Sequence, residues 1–245
     1  MIAFVLSRRN FRETDQIIIL YTLEKGKIEV LAKGIKKIIS KNSAFLEPFF
    51  LVEAEIISGK ELSRLASVQP INSFNKIRTD LNKSLLAGVT VSLVERLLHE
   101  NEREIKIFNM LHSWLNYLND SKQISSVLII SFMVKMIAVL GFVPVLSHCI
   151  VCNKRFLNST KSYNEIFFKL TAGGIVCSDC IFKINRNDEI YLPLLNNDIK
   201  VWCELLNNDW DKIPLIINDK LKQTIYKFVE YYSEKKLNMI RFNIL

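Results

Sequence analysis

Four of the five cysteines stand as two Cys-x-x-Cys pairs, Cys149 with Cys152 in "SHCIVCNKRF" and Cys177 with Cys180 in "GGIVCSDC". Two pairs at this spacing deliver four thiolates to one tetrahedral ion, the donor set of a structural zinc ribbon. The two intervening residues let both sulfurs of a pair face the metal while amides of the turn face the sulfurs. Asn153 follows the first pair at a position that often needs a left-handed backbone, which Asn tolerates better than most residues. The run Thr171 to Gly174, "TAGG", supplies a turn before the second pair. A complete thiolate shell leaves no ligand position for water or substrate, so the zinc would hold the fold and not catalyse. In small zinc peptides the metal contributes about 10 to 16 kcal/mol, which is large against the burial such a loop achieves alone. The competing readings are buried free thiols or a site that has lost its metal. A thioredoxin-like redox pair is disfavoured because neither pair sits in a strand-to-helix unit. His148 borders the cluster as a further donor, and Cys203 in "IKVWCELL" reads as helix core.

The second chemical feature is charge. The chain has 245 residues, 33 Lys plus Arg against 25 Asp plus Glu, and a net charge of +8. Basic residues crowd the first fifty positions. "RRNFR" carries Arg8, Arg9 and Arg12, and "KGKIEVLAKGIKKIISK" carries Lys25, Lys27, Lys33, Lys36, Lys37 and Lys41 against Glu29 alone. A concentrated basic face suits a polyanion such as nucleic acid. Phe11 and Tyr21 lie close by as base-stacking candidates, with burial in a core as the plainer reading of each. A solvated lysine-rich surface is the plainer reading of the lysines.

These residues need a scaffold, and the first seventy read as five short strands: "IAFVLS", "QIIILYT", "KIEVLAK", "FFLVEAEIIS" and "LSRLASVQPI". In the fourth, Phe50, Val52, Ala54 and Ile56 share one face and Glu53 and Glu55 the other, the period of a half-buried strand. Five strands with a longer excursion between the third and fourth predict a closed Greek-key barrel, an OB fold in preference to an SH3-like one. On such a barrel the basic residues would converge beside strands two and three. Apolar residues from Leu81 to Leu98 and from Ile105 to Leu118 then recur at spacings of three and four, giving two amphipathic helices. A more apolar helix follows over Ile124 to Leu140, broken by "GFVPVL". Two further helices are expected in "LNNDIKVWCELLNN" and "LKQTIYKFVEYYSEKKL". The predicted class is thus α+β: an OB barrel over 1–78, an α-helical domain over 79–146 and 188–245, and a zinc-ribbon insertion over 147–187.

Several function classes are disfavoured. The apolar helix carries Lys135 at its centre, which costs about 2.5 to 3.5 kcal/mol at mid-bilayer, so it reads as core and not as a membrane span. "MIAFVLSRRN" places apolar residues before the arginines, the reverse of a secretory leader, and a cytoplasmic protein is expected. No Walker loop, dinucleotide fingerprint or nucleophile elbow is present, and His99, His112 and His148 suggest no base, so no enzyme is expected.

The stretch "LSRRNFRETDQIIILYTLEKGKIEVLAKGIKKIISKNSAFLEPF", Leu6 to Phe49, closely resembles the N-terminal barrel of the RecO family of bacterial DNA repair proteins. "AGGIVCSDC" is similar to the second knuckle of that family's zinc module, and the order of barrel, helices, ribbon and closing helices matches along almost the whole chain. Asn153 departs from the glycine frequent there, and the loop from Lys154 to Lys169 is long and asparagine-rich. The resemblance implies a recombination mediator at the nucleoid. It would bind single- and double-stranded DNA, anneal complementary strands, and associate with RecR and with the acidic C-terminal tail of single-stranded-DNA-binding protein. Through these it would help load RecA. It implies DNA contact by Arg8, Arg9, Arg12, Lys33, Lys36, Lys37 and Lys41 as a group, and zinc at Cys149, Cys152, Cys177 and Cys180. The competing function is a zinc-ribbon interaction adaptor that does not touch DNA.

Overall fold

The computed structural model describes residues 1–37, 42–59, 62–156, 166–183 and 190–233. It divides into two compact units, Met1–Ile124 and the remainder from Ser125. The first unit holds β1 (Ile2–Asn10), β2 (Gln16–Thr22), β3 (Gly26–Ala32), β4 (Leu51–Ile57), β5 (Ser63–Asn72), α1 (Asn75–Arg78), α2 (Leu81–Leu97) and α3 (Ile105–Asp120). The strands close a barrel in the order β1-β2-β3-β5-β4, the expected OB architecture. β3 meets β5 in parallel at Val30 and Leu31, and β4 returns antiparallel to β1 at Ile2 to Phe4.

Why "IAFVL" and "QIIILY" are continuously apolar follows from what covers them. Ala3, Val5, Ile18 and Leu20 fill the barrel with Val30, Val52, Ala54 and Val68. The alternate residues Phe4, Leu6, Ile19 and Tyr21 point the other way and are equally buried. The ring of Phe4 lies 4.9 Å from Phe108 of α3, and Tyr21 donates its hydroxyl to Glu104 O at 2.8 Å. Strands buried on both faces lose the alternation that a one-sided strand shows. β4 keeps it, with Glu53 and Glu55 exposed.

The helices α2 and α3 form where expected, with two differences of facing. Leu81 and Leu85 are exposed, while Lys83 is buried in the same turn. Its ammonium reaches Asn119 O and Ser121 O, carbonyls left unpaired at the end of α3, so a lysine serves there as a helix C-terminal partner. Asp80 caps α2 by accepting the Lys83 N–H. Between the helices, Trp114 Nε1 donates to Thr90 Oγ1 at 2.8 Å in a fully buried contact.

The second unit holds α4 (Val127–Val139), β6 (Ile166–Lys169), β7 (Gly174–Cys177), α5 (Ser178–Ile181), β8 (Tyr191–Leu194), α6 (Asn196–Asn207) and α7 (Asp219–Ser233). Among the described residues no helix is long and apolar enough to cross a membrane. Lys135, the charge in apolar α4, donates to Asn208 O and sits 4.8 Å from the Trp210 ring centroid. Burial lowers its pKa, opposed by the Asp209 charge. The predicted helical segment 79–146 therefore falls in both units: α2 and α3 belong with the barrel, α4 with the cysteine module. The three-stranded sheet β7-β6-β8, which the pattern of residues did not announce, links the cysteine segment to α6.

Replacing Thr90 by Val should strand the buried Trp114 N–H and lower stability by about 1 to 3 kcal/mol. Thr90→Ser should recover most of that loss in a urea titration. Equal losses in the two variants would show that the hydroxyl contributes nothing.

Candidate metal centre and nucleic-acid interface

The first knuckle is a tight turn. Asn153 N–H donates to Cys149 O and Cys149 N–H to Lys154 O, both at 2.9 Å, and Asn153 adopts φ 60°, the left-handed conformation read from the sequence. The second knuckle leaves β7 at Cys177 and enters the single turn of α5, which carries Cys180, so contrary to the sequence reading this pair does sit where a strand meets a helix; the grouping of all four sulfurs is what favours a metal centre over a redox pair. Gly173, at φ 61°, makes the turn that sets β7 antiparallel to β6, and any Cβ there would meet the Tyr232 hydroxyl at 2.9 Å. Reciprocal bonds between Val145 and Gly173 or Ile175, with Ile150 N–H donating to Ile175 O, hold the two knuckles side by side.

The four Sγ atoms lie within 4.8 Å of one another, and those of Cys152 and Cys177 are 3.8 Å apart. A tetrahedral ion with metal–sulfur bonds near 2.3 Å requires sulfurs about 3.8 Å apart, so the donor set fits such an ion. The electrostatics differ among the four thiols. Burial raises the Cys149 thiol, but N–H groups of Cys152, Cys177 and Val151 outweigh it and bring the pKa down to about 7. Burial pushes Cys177 and Cys180 up, and close packing of four like groups adds to the rise at Cys180. A cation relieves that cost. Cys152 is the exposed member of the set. His148 is not among the grouped donors; its Nδ1 shares a hydrogen with Ser147 Oγ at 2.8 Å. Cys203 is half-buried on α6.

The basic residues separate into two groups. The connection after β1 and the turn after β3 meet at one end of the barrel. Gly34 N–H donates to Asp15 Oδ1 at 2.8 Å and Lys36 N–H to Thr14 O at 3.1 Å. Arg12, Lys33, Lys36 and Lys37 are all exposed there. Asp15 registers the gathering: the Gly34 N–H holds its carboxyl below the usual range, outweighing burial, with the Thr14 hydroxyl, Arg12 and Lys33 adding to the effect. Arg8 and Arg9 occupy the last residues of β1, opposite Ile18 and Ile17, so they leave opposite faces of the strand. Arg8 pairs with Glu47 at 2.8 Å and Arg9 with Glu29. Lys41 lies outside the described residues.

Lys27 does not join this surface. Its ammonium donates to Glu95 O and Leu98 O, satisfying carbonyls at the end of α2. Tyr21 is fully buried and carries no base-stacking role, with its pKa pushed by burial to about 12. Phe11 remains exposed, with the Arg12 guanidinium 5.2 Å from its ring centroid. Glu29 and Glu47 were not singled out from the sequence, since a carboxylate's partner across strands depends on register.

Comparison with known proteins places both parts of the chain in one family. Residues 1–74 match the model for the recombination protein O N terminal domain, and residues 78–242 that for its C terminal domain. This chain belongs to the RecO family. It is 28% identical over 246 residues to the DNA repair protein RecO of Desulforamulus reducens, covering 98% of this chain and 91% of that protein. It is 31% identical over 191 residues to the DNA repair protein RecO of Shouchella clausii, covering 78% of this chain and 72% of that one. The family models divide the chain between residues 74 and 78, just before α1 ends, whereas the compact units divide it after α3.

A chain refolded with a divalent thiophilic metal should bind one ion per molecule, released on titrating the thiols with a mercurial. Cys177→Ser should lose most of that binding. Retention of a full equivalent by Cys177→Ser would remove Cys177 from the ligand set.

Proposed function

We propose that this chain is a non-enzymatic recombination mediator that binds single- and double-stranded DNA through the basic end of its barrel. The observation that supports the reading is the joining of the two basic connections by the Asp15–Gly34 and Thr14–Lys36 bonds, which brings the exposed residues Arg12, Lys33, Lys36 and Lys37 to one end of the barrel. Arg8 and Arg9 stand just before that connection on opposite faces of β1, and with Lys41 they complete the basic group read from the sequence. Phosphates would exchange with the carboxylates of Glu47 and Glu29, since exposed ion pairs are worth only about 0 to 1 kcal/mol.

Binding two complementary strands at once lowers their mutual repulsion, so the protein would anneal them without nucleotide hydrolysis. In this reading the partners are RecR and the acidic tail of single-stranded-DNA-binding protein, with RecA loading as the downstream result, in the cytoplasm at the nucleoid. The ion is zinc, held by Cys149, Cys152, Cys177 and Cys180. It supplies a fixed cross-link between the two knuckles, and it leaves DNA contact to the barrel.

Affinity for a single-stranded oligonucleotide should fall with log salt at a slope near −4, from about 0.7 per phosphate and six basic groups. The protein should also speed pairing of complementary oligonucleotides without ATP. A protein that neither binds nor anneals at low salt would be an adaptor without DNA contact. Cys177→Ser should loosen the 145–177 segment while DNA affinity stays within about twofold; equal loss of both would show that the ribbon takes part in binding.

A further inference from the structure

Four carboxylates, Glu13, Asp15, Glu29 and Glu47, stand among the basic residues of the barrel, and simple electrostatics treats them alike: each repels a polyanion. Their contacts differ. Glu47 and Glu29 each engage one guanidinium, on Arg8 and Arg9, and neither accepts a backbone hydrogen bond in those contacts. Asp15 instead accepts the Gly34 N–H at 2.8 Å and the Thr14 hydroxyl at 3.2 Å through one oxygen. Its backbone carbonyl accepts the N–H groups of Phe11 and Arg12. One residue therefore closes its own turn and fastens it to another turn 19 residues away.

We propose that Asp15 is a positioning residue for DNA binding, an acidic group that strengthens polyanion affinity by docking the Arg12 connection against the Lys33–Lys37 turn. This rests on the reading of the barrel end as the DNA surface. The turn is anchored in the core by buried Ile35 and follows the Gln16–Ala32 pair of the β2–β3 ladder, so the Asp15 bond sets its register against the Arg12 connection and does not hold it alone. Gly34 takes φ 64°, the Lys37 N–H returns to Gly34 O, and the Lys36 N–H reaches Thr14 O in the connection that Asp15 terminates. Without the carboxylate the two turns share one hydrogen bond instead of two among the contacts that join them. Lys33, Lys36 and Lys37 would then be held less firmly relative to Arg12, and ordering them on DNA would carry an entropic cost. Asp15 acts through the backbone and touches no phosphate.

The charge of Asp15 and its acceptor geometry can be separated in the full-length chain. Asp15→Asn removes the charge and keeps an oxygen in place for the Gly34 N–H. Asp15→Glu keeps the charge and displaces the oxygen by one methylene. A fluorescein-labelled oligo(dT) titrated across salt concentrations reads both affinity and slope. The expected order is Asn equal to the parent or up to about threefold tighter, and Glu weaker by about tenfold at low salt. The slope for Glu should flatten by about 2, for three lost phosphate contacts. Hydrogen exchange should show the Gly34 amide protected in the parent and Asn chains and faster in the Glu chain, with Ile18 to Tyr21 unchanged in all three. Glu29→Gln, which removes a charge that ties no backbone, should bind about two- to fivefold tighter.

If Asp15→Glu binds like the parent while Asp15→Asn binds tighter, the residue acts by charge alone and the proposal is overturned. Equal weakening by Asn and Glu overturns it too. If the parent itself ignores oligo(dT), the DNA reading fails, an outcome distinct from normal parent binding with an indifferent Asp15→Glu.

Discussion

Strand β3 is seven residues long, and its length sorts the lysines around it. At 3.3 Å per residue it spans about 23 Å, which puts Lys27 near one end and Lys33 just past the other. The hairpin end faces the end of α2, and Lys27 is drawn to the carbonyls that the helix leaves unpaired. The other end faces the connection after β1, where Thr14 and Asp15 accept amides of the following turn. A charge run that is uniform in sequence thus becomes a helix cap at one end and a basic surface at the other. Closure of the barrel holds this arrangement in place, since β3 is pinned by β2 along its length and by β5 at Val30 and Leu31.

The ribbon follows a different logic. The module offers short strands and single turns, and its order depends on cross-links between Val145 and Gly173, Ile150 and Ile175, and four sulfurs. Amides of the first turn and of Cys177 converge on the Cys149 sulfur, which lowers its pKa even though it is buried. The module is also packed: Ile166, Phe168, Ile175 and Val176 are buried, and the Phe168 ring lies 4.8 Å from Trp202 and 5.6 Å from Phe228, so an ion would add to apolar contact with α6 and α7. The barrel has its own core, twelve mutually packed buried side chains, and no comparable cluster of sulfurs among the described residues.

Much of this was legible beforehand, for physical reasons. The Cys-x-x-Cys spacing constrains sulfur geometry locally, and Asn153 announced its left-handed turn. Five strands were readable because their boundaries are turn residues, and β4 because Glu53 and Glu55 alternate with apolar neighbours. What was hidden depends on contacts distant in sequence. Tyr21 looks like a stacking residue until α3 is laid over it, and Leu81 looks like core until Lys83 takes the inward place at the helix start. Glu29 and Glu47 find Arg9 and Arg8 only through strand register and the path of the excursion before β4. The short strands β6, β7 and β8 carry four residues each, too few to show a period.

The most direct test of the basic barrel end compares two chains of equal net charge. In one, Lys33, Lys36 and Lys37 become Glu; in the other, exposed Lys25, Lys106 and Lys122 of the same unit become Glu. Single-stranded DNA affinity at low salt should collapse in the first and fall only modestly in the second. Equal losses would mean that the chain attracts DNA by overall charge, and that no surface on the barrel is responsible.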